Sequence, residues 1–324
     1  MRAESTWSDA VVRTIREVTP SIRQIEFAPD GGQVAWTAGS HIDIGVVIDG
    51  RADRRSYSLV GEPDTGCYRI AVKREEQSRG GSRFMWSLKP GTRLPFSAPK
   101  NLFELQVGRP EYLLVAGGIG ITPIVGMAQV LARRGEKFRL YYCGRSRGDM
   151  AFLPELSDRL GDRLRVFATD EGHRLNIADA IAGLARDTEL YLCGPMRLLD
   201  ATRQAWAAAG RPATSLRYET FANSGRHAPE PFWVRVPSRG VEVVVPENKT
   251  MLDALNEAGV EVMWDCLRGE CGLCAVDIVE VDGGIDHRDV FLSDHQKTAN
   301  AKLCTCVSRV FGGGLVIDTG YRPD

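Results

Sequence analysis

Neither charge dominates this chain of 324 residues: 41 Lys and Arg are set against 42 Asp and Glu, for a formal net charge of −1 at pH 7. A partner bound through its phosphate backbone needs a basic surplus or a basic face, so a nucleic-acid function is not expected. An apolar leader is missing as well. The chain begins Met1-Arg2-Ala3-Glu4 and has no apolar core before Asp9, which predicts no secretory signal and a reducing, cytoplasmic setting. One long run, residues 112–132, lacks any charge over 21 residues and has the length to cross a bilayer. It also contains Gly117, Gly118, Gly120, Pro123 and Gly126, and it reads as a strand, a turn and a helix in succession, so no membrane span is expected. Internal repeats and low-complexity tracts are lacking too.

The composition, 43% hydrophobic and 26% charged, is that of a soluble globular protein. At about 150 residues per domain the length predicts two or three compact units, each able to bury a core without disulfide staples. Over residues 1–107, β-like runs at 10–15, 22–27, 41–47, 56–60 and 68–73 are broken by Gly, Pro and Asp, which predicts an antiparallel barrel or sandwich. A helix is expected at 82–88, behind Gly80-Gly81. Over residues 108–226, apolar strands at 112–116, 138–143, 164–168 and 189–193 alternate with helical patterns at 124–132 and 177–184, the pattern of a parallel α/β sheet. A turn-rich polar stretch at 223–231 reads as a linker. Residues 227–324 form the third expected unit, opening with a hairpin (232–236 and 241–245) and a helix at 251–258 capped by Thr250, with Asp253 three residues on.

The eight cysteines are Cys67, Cys143, Cys193, Cys266, Cys271, Cys274, Cys304 and Cys306, and five of them fall within 41 residues. Cys266-Leu-Arg-Gly-Glu-Cys271-Gly-Leu-Cys274 has C-x4-C-x2-C spacing, with a fourth cysteine 30 or 32 residues later. That spacing is the one used by plant-type 2Fe-2S clusters. Gly269 and Gly272 permit the close backbone approach that three thiolates on one tight loop require, and the loop's N–H groups can hydrogen-bond the cluster sulfurs. Zinc is the metal-bearing rival, although zinc sites favour paired C-x2-C units; a set of buried structural thiols is the other. Spacing does not choose between Cys304 and Cys306.

Gly117-Gly118-Ile119-Gly120-Ile121-Thr122-Pro123 lies between a strand and a helix, with Thr122 read as the N-cap and Pro123 as the first helical residue. A glycine turn that delivers a helix N-terminus suits an anionic phosphate, though it serves equally as a tight turn without a ligand. The dinucleotide fingerprint also calls for an acid at the end of the second strand, where this chain has Gly144-Arg145-Ser146-Arg147. A standard Rossmann dehydrogenase is therefore disfavoured. A second strand-to-helix turn, Cys193-Gly194-Pro195-Met196, places a cysteine at a carboxyl edge, where it is either a ligand contact or a small buried hydrophobe. In the barrel, Arg55 and Tyr57 share one face of a strand and Ser56 and Ser58 the other. Arginine suits a phosphate and tyrosine an aromatic ring, and Gly80-Gly81-Ser82 offers a second phosphate cradle; a solvated basic strand is the plain alternative.

In their order these regions resemble the phthalate dioxygenase reductase family, close to the reductase components of vanillate demethylase and carnitine monooxygenase. The resemblance spans nearly the whole chain and rests on Arg55-Ser-Tyr57-Ser58, Ala71-Val72-Lys73 with Arg79-Gly80-Gly81-Ser82, Gly117 to Pro123, Cys193-Gly194-Pro195, Tyr218-Glu219-Thr220-Phe221 and the cysteine loop with Cys306-Val-Ser-Arg309. It implies a flavin-binding β-barrel, a nicotinamide-binding α/β domain like that of ferredoxin-NADP reductase, and a C-terminal β-grasp plant-type ferredoxin domain. FMN would be held by Arg55, Tyr57, Ser58, Ala71, Val72, Lys73, Gly80, Gly81 and Ser82, with Phe221 against its ring. NADH would be framed by Gly118, Gly120, Thr122, Pro123, Cys193, Gly194, Pro195 and Met196, with Thr122 and Cys193 nearest the nicotinamide. The ligands of the cluster would be Cys266, Cys271, Cys274 and Cys306, since the phrase Thr305-Cys306-Val307 resembles the ferredoxin ligand.

The implied activity carries electrons from NADH through FMN and 2Fe-2S to a Rieske-type oxygenase, with no side-chain acid or base and with exit over the cysteine loop near Asp265 and Glu270. Arg145, Ser146 and Arg147 sit where an adenosine 2′-phosphate would be bound, so NADPH stays open beside NADH. The alternatives are a reductase serving a cytochrome P450, an FAD and NADPH variant, and an iron-sulfur redox sensor that leaves the first two sites unexplained.

Overall fold

The computed structural model describes residues 6–62, 66–75, 79–221, 225 and 227–320. The chain divides into two compact units, Met1–Glu219 and Thr220–Asp324.

The first unit opens with β1 (Trp7–Thr19), β2 (Ile22–Pro29), β3 (Ser40–Ile48), β4 (Arg51–Ser58), β5 (Tyr68–Lys73), α1 (Gly81–Ser87), β6 (Arg93–Ser97) and β7 (Lys100–Asn101). The strands form one antiparallel sheet in the order β4-β3-β6-β1-β2-β5, with β7 beside β3. An antiparallel bridge from Leu59 to Ile70 joins the two ends of that order just beyond β4, so the sheet closes as a barrel and not as a sandwich. Its interior takes Val12, Ile25, Ile42, Ile44 and Ile70 from alternate strand positions, and Met85 from α1.

The same unit continues with β8 (Glu111–Gly117), α2 (Ile121–Arg133), β9 (Phe138–Gly144), α3 (Leu153–Leu160), β10 (Leu164–Ala168), α4 (Ile177–Ala182), β11 (Thr188–Cys193), α5 (Met196–Ala208) and β12 (Leu216–Glu219). All four pairings of the sheet β10-β9-β8-β11-β12 are parallel. Every residue of β8 and of β11 is buried, as expected where helices cover both faces. The chain winds outward from β8 to β10 and then returns to the other side of β8, so β8 and β11 flank the switch point where open α/β sheets bind ligands. The charge-free run 112–132 falls on β8, a turn and α2, and among the described residues no helix is long and apolar enough to cross a membrane.

One reading of the sequence needs correction. Thr122 is not the N-cap of α2, because residues Gly118–Gly120 form a 3-10 turn that runs straight into the helix and leaves Gly120 at the cap. Thr122 lies within the first turn, its hydroxyl donating back to the Ile119 carbonyl at 3.0 Å, and Pro123 follows where a missing N–H is still tolerated.

The second unit contains β13 (Phe232–Val236), β14 (Val241–Val245), α6 (Met251–Glu257), β15 (Ala275–Asp286), α7 (Asp294–Ala299), β16 (Lys302–Cys304) and β17 (Arg309–Asp318). The sheet runs β14-β13-β17-β15-β16, with β13 and β17 parallel and the other pairs antiparallel. It grips α6, whose Met251, Ala254 and Leu255 enter a core with Phe232, Val234, Leu303 and Leu315. The expected capping box is present: the Thr250 hydroxyl accepts from the Asp253 N–H at 3.0 Å, and the Asp253 carboxylate accepts from the Thr250 N–H at 3.3 Å.

Candidate functional site

In the second unit the cysteine loop leaves the end of α6 and is shaped by three left-handed residues, Leu267 (φ 56°), Gly269 (φ 73°) and Gly272 (φ 75°). A side chain on Gly269 would meet Val307 at 2.6 Å and the Asp289 backbone at 2.8 Å, so only glycine lets the loop lie this close to its support. The curled backbone aims the N–H groups of Arg268, Glu270 and Cys271 at the Cys266 sulfur, each at 3.4 Å. A converging set of donors is what a thiolate, and not a thiol, requires. Across the loop, the Cys274 and Cys306 sulfurs are 3.1 Å apart. All eight cysteines are free. Hydrogen bonds from Cys304 and Cys306 drive the Cys274 thiol down to about 3, while Cys304 and Cys306 are driven up. Buried Cys274, Cys304, Cys306 and Val307 form one apolar cluster with Leu252, so the sulfurs sit in low dielectric.

Two buried groups of this unit went unnoticed in the sequence reading. Asp289 is fully buried behind the loop, accepting from the Leu292 N–H at 2.8 Å and from Ser308 Oγ at 3.4 Å, while Val290 N–H donates to the Gly269 carbonyl at 2.9 Å. Nothing in the run His287-Arg288-Asp289 separates it from a solvated charge cluster. Glu270, expected on an exposed exit face beside Asp265, turns inward instead. Its carboxylate lies 3.0 Å from the buried Arg268 guanidinium and is only 19% exposed, and burial pushes its carboxyl up against the pull of Arg268. Asp265 is exposed.

In the first unit the two strand-to-helix turns interlock at the carboxyl ends of β8 and β11, which are adjacent, with Cys193 opposite Ala116. A side chain on Gly120 would meet the Cys193 carbonyl; one on Gly117 would meet Pro195 at 2.6 Å, and one on Gly194 would meet the Gly117 Cα at 3.1 Å. These glycines exist for turn-on-turn packing. Gly118 differs: its φ is +56° and the space beside it is open. Thr122 and Cys193 are both buried at this junction, and Met196 is buried at the start of α5.

The barrel brings a third group to the same unit. Arg55 Nη1 lies 2.7 Å from Asp53 and donates to the Arg54 carbonyl at 2.7 Å, and Nη2 donates to the Arg79 carbonyl at 3.3 Å. The guanidinium rests against Gly81, where an added Cβ would lie 2.6 Å from Arg55 Nε, so Arg55, Gly80, Gly81 and Ser82 do come together at the start of α1. Burial pushes the Tyr57 phenol well up, with the Arg55 charge opposing. Ala71 and Val72 are buried on β5, and exposed Lys73 sits 3.4 Å from Glu75. Ser58, at the far end of β4, donates to Glu219 Oε2 at 3.5 Å. Glu219 is 3% exposed and stands opposite Cys193 in the parallel ladder, so β4 meets the switch point through a carboxylate to which the sequence reading gave no role. Its only signal was an acid at the carboxyl end of a short strand, Leu216–Glu219. Phe221 is half-buried at the start of the second unit.

Two family profiles match the chain: an oxidoreductase NAD-binding domain over residues 114–204 and a 2Fe-2S iron-sulfur cluster binding domain over residues 234–311. The chain is 38% identical over 317 residues to the heme-dependent oxidative N-demethylase beta subunit of Ectopseudomonas mendocina, covering 97% of this chain and 99% of that one. Among solved structures, phthalate dioxygenase reductase is similar over 96% of this chain and 98% of its own, with a TM-score of 0.75 and 30% identity. A type IV self-sufficient cytochrome P450 monooxygenase matches with a TM-score of 0.67 and 34% identity over 96% of this chain, which spans 41% of that longer protein. The interlocked nucleotide turns, the glycine-shaped cysteine loop and these matches together place the chain in the phthalate dioxygenase reductase family, as an oxidoreductase with an NAD-binding domain and a 2Fe-2S domain.

Proposed function

We propose that this protein draws electron pairs from NADH, passes them through FMN, and delivers them singly by way of its 2Fe-2S cluster to the oxygenase component of a Rieske-type system. The observation that carries the reading is the meeting of β4 with the switch point: Ser58 touches Glu219, Glu219 pairs with Cys193, and Cys193 backs the Gly117–Gly120 turn. A nicotinamide and a flavin ring are expected at such a junction because hydride transfer needs two rings in contact and water kept out.

The residues suit each group. The Arg55 guanidinium, laid over the glycine start of α1, is an anion partner for the FMN phosphate, with Gly80, Gly81 and Ser82 beside it. Tyr57, Ser58, Ala71, Val72 and Lys73 belong to the strands that would carry the ring. Gly118 leaves room for the dinucleotide, Gly120, Gly194 and Pro195 hold the two turns in register, Thr122 and Cys193 stand nearest the nicotinamide, and Pro123 and Met196 begin the flanking helices. Cys266, Cys271, Cys274 and Cys306 are the cluster ligands. Cys306 is preferred to Cys304 because its sulfur lies 3.1 Å from that of Cys274, whereas Cys304 is held in the β16 ladder opposite Ala275. FMN, when bound, supplies the exchange between a two-electron donor and a one-electron acceptor. The side chains bind, orient and exclude water; no proton is assigned to any of them. That none of the eight cysteines is in a disulfide accords with a reducing cytoplasm.

A second acceptor class is favoured by one finding, since a relative 38% identical is named for a heme-dependent demethylase: a haem oxygenase in place of a Rieske one. An anaerobic NADH titration followed by visible absorption tests the electron path. Stepwise bleaching of a flavin band and an iron-sulfur band is expected. A protein inert to NADH and NADPH alike after FMN is added would overturn the reading, and reoxidation by a Rieske or a haem component then separates the two acceptors.

A further inference from the structure

The carboxyl edge of β9 and β10 carries a feature that the electron path does not use. The strands are parallel neighbours, with Gly144 opposite Ala168, and the loops beyond them are tied together: the Arg145 carbonyl accepts from the Asp170 N–H at 2.9 Å and from Thr169 Oγ1 at 3.4 Å. This tie brings Glu171 to Arg147, whose Nε donates to both carboxylate oxygens at 2.9 and 3.2 Å. His173 Nδ1 lies 3.5 Å from the same carboxylate, and Ser146 Oγ donates to Asp149 Oδ2 at 2.9 Å. Two side chains fit to grip a 2′-phosphate, Ser146 and Arg147, are thus each held by a carboxylate of this chain. Arg147 and Glu171 are 50% and 38% exposed, open to a bound nucleotide.

Resting on the NADH reading above, we propose that Glu171 is the residue that sets the dinucleotide preference, by occupying Arg147 and by supplying, from the end of β10, the acid that the end of β9 lacks. The hydroxyls of an adenosine ribose are neutral donors and meet a carboxylate favourably. A 2′-phosphate carries close to two negative charges at neutral pH; it has to separate Arg147 from Glu171 and then lie beside the displaced carboxylate. An exposed ion pair contributes little to stability, so the pair can be altered without unfolding the protein, while its arrangement of charge still selects between ligands that differ by one phosphate.

The test is steady-state oxidation of NADH and of NADPH by the full-length holoprotein at low ionic strength, with ferricyanide as acceptor, for the wild type, Glu171→Gln, Arg147→Ala and the double variant. Glu171→Gln is expected to raise the ratio of kcat/KM for NADPH over NADH by about tenfold or more, mainly through a lower KM for NADPH. Arg147→Ala alone is expected to bring no such gain, and in the double variant the gain should vanish, since it depends on the released guanidinium. A ratio unchanged within about twofold in Glu171→Gln, or a gain that survives removal of Arg147, overturns the proposal. A wild type that favours NADPH would overturn the NADH reading instead; the change of ratio on Glu171→Gln would still decide the role of Glu171.

Discussion

Cys304 and Cys306 stand two positions apart and are both buried, yet their surroundings are unequal. Cys304 belongs to β16, opposite Ala275 in the ladder, whereas Cys306 lies in the turn that follows, 3.1 Å from the Cys274 sulfur. Cys306→Ser is therefore expected to abolish the cluster, and Cys304→Ser to retain about two irons per chain at a cost of about 1–2 kcal/mol for a hydroxyl buried among apolar neighbours. Iron and acid-labile sulfide analysis decides, and equal loss in both variants would void the assignment. Spacing made the three-cysteine loop legible because ligands on one turn must be close in sequence. The groups behind it were not legible: Glu270 read as part of an exposed face and Asp289 drew no reading, and their burial is settled only when Gly269 brings the β15–α7 connection up against the loop.

Glycine marked both nucleotide turns in the sequence, but it could not say which glycine serves the fold and which serves a ligand. The structure shows which of them the packing requires. Gly120→Ala would drive a methyl into the Cys193 carbonyl and is expected to cost about 1–3 kcal/mol as the turns part. Gly118→Ala meets open space and pays only for its positive φ, about 1–2 kcal/mol, so its main effect should fall on the KM for the dinucleotide. Thermal melts and NADH kinetics on the two variants check this, and a Gly118→Ala protein with unchanged KM would remove that residue from the site. At the same scale, strands with clean period-2 or continuous apolar patterns were readable, as β2, β8 and β11 are. The long strands β15 and β17 were not, because Gly283-Gly284 and Gly312-Gly313-Gly314 interrupt them where the two strands press together; a side chain on Gly283 would meet the Phe311 carbonyl. The misplaced start of α2 has a related cause, since a 3-10 turn of glycines extends the helix backward past the residue best suited to cap it.

Over the whole molecule, the change from broken β runs to alternating strands and helices, and then to a hairpin with a cysteine loop, was visible in composition and periodicity alone. Each architecture also has its own core: the barrel interior around Ile25, Ile44 and Ile70, the fully buried β8 and β11 of the parallel sheet, and the ferredoxin-like core around Val234, Leu255 and Leu315. The residues proposed for the nicotinamide and the flavin, other than Phe221, all belong to the first compact unit, and all the proposed cluster ligands to the second. Chemistry divided in this way should fail in parts. Cys271→Ser removes a proposed ligand from a loop whose packing rests on Gly269, Gly272 and the apolar cluster around Cys274, so both cores are expected to survive. NADH should then still reduce the flavin, and ferricyanide reduction, which draws on the flavin, should stay within about twofold of the wild type. Electron delivery to an oxygenase partner, together with the iron-sulfur absorption, should be lost. If Cys271→Ser instead abolished flavin reduction by NADH in a protein that still melts cooperatively, the two units would be coupled beyond electron transfer, and the first would depend on the second for its chemistry.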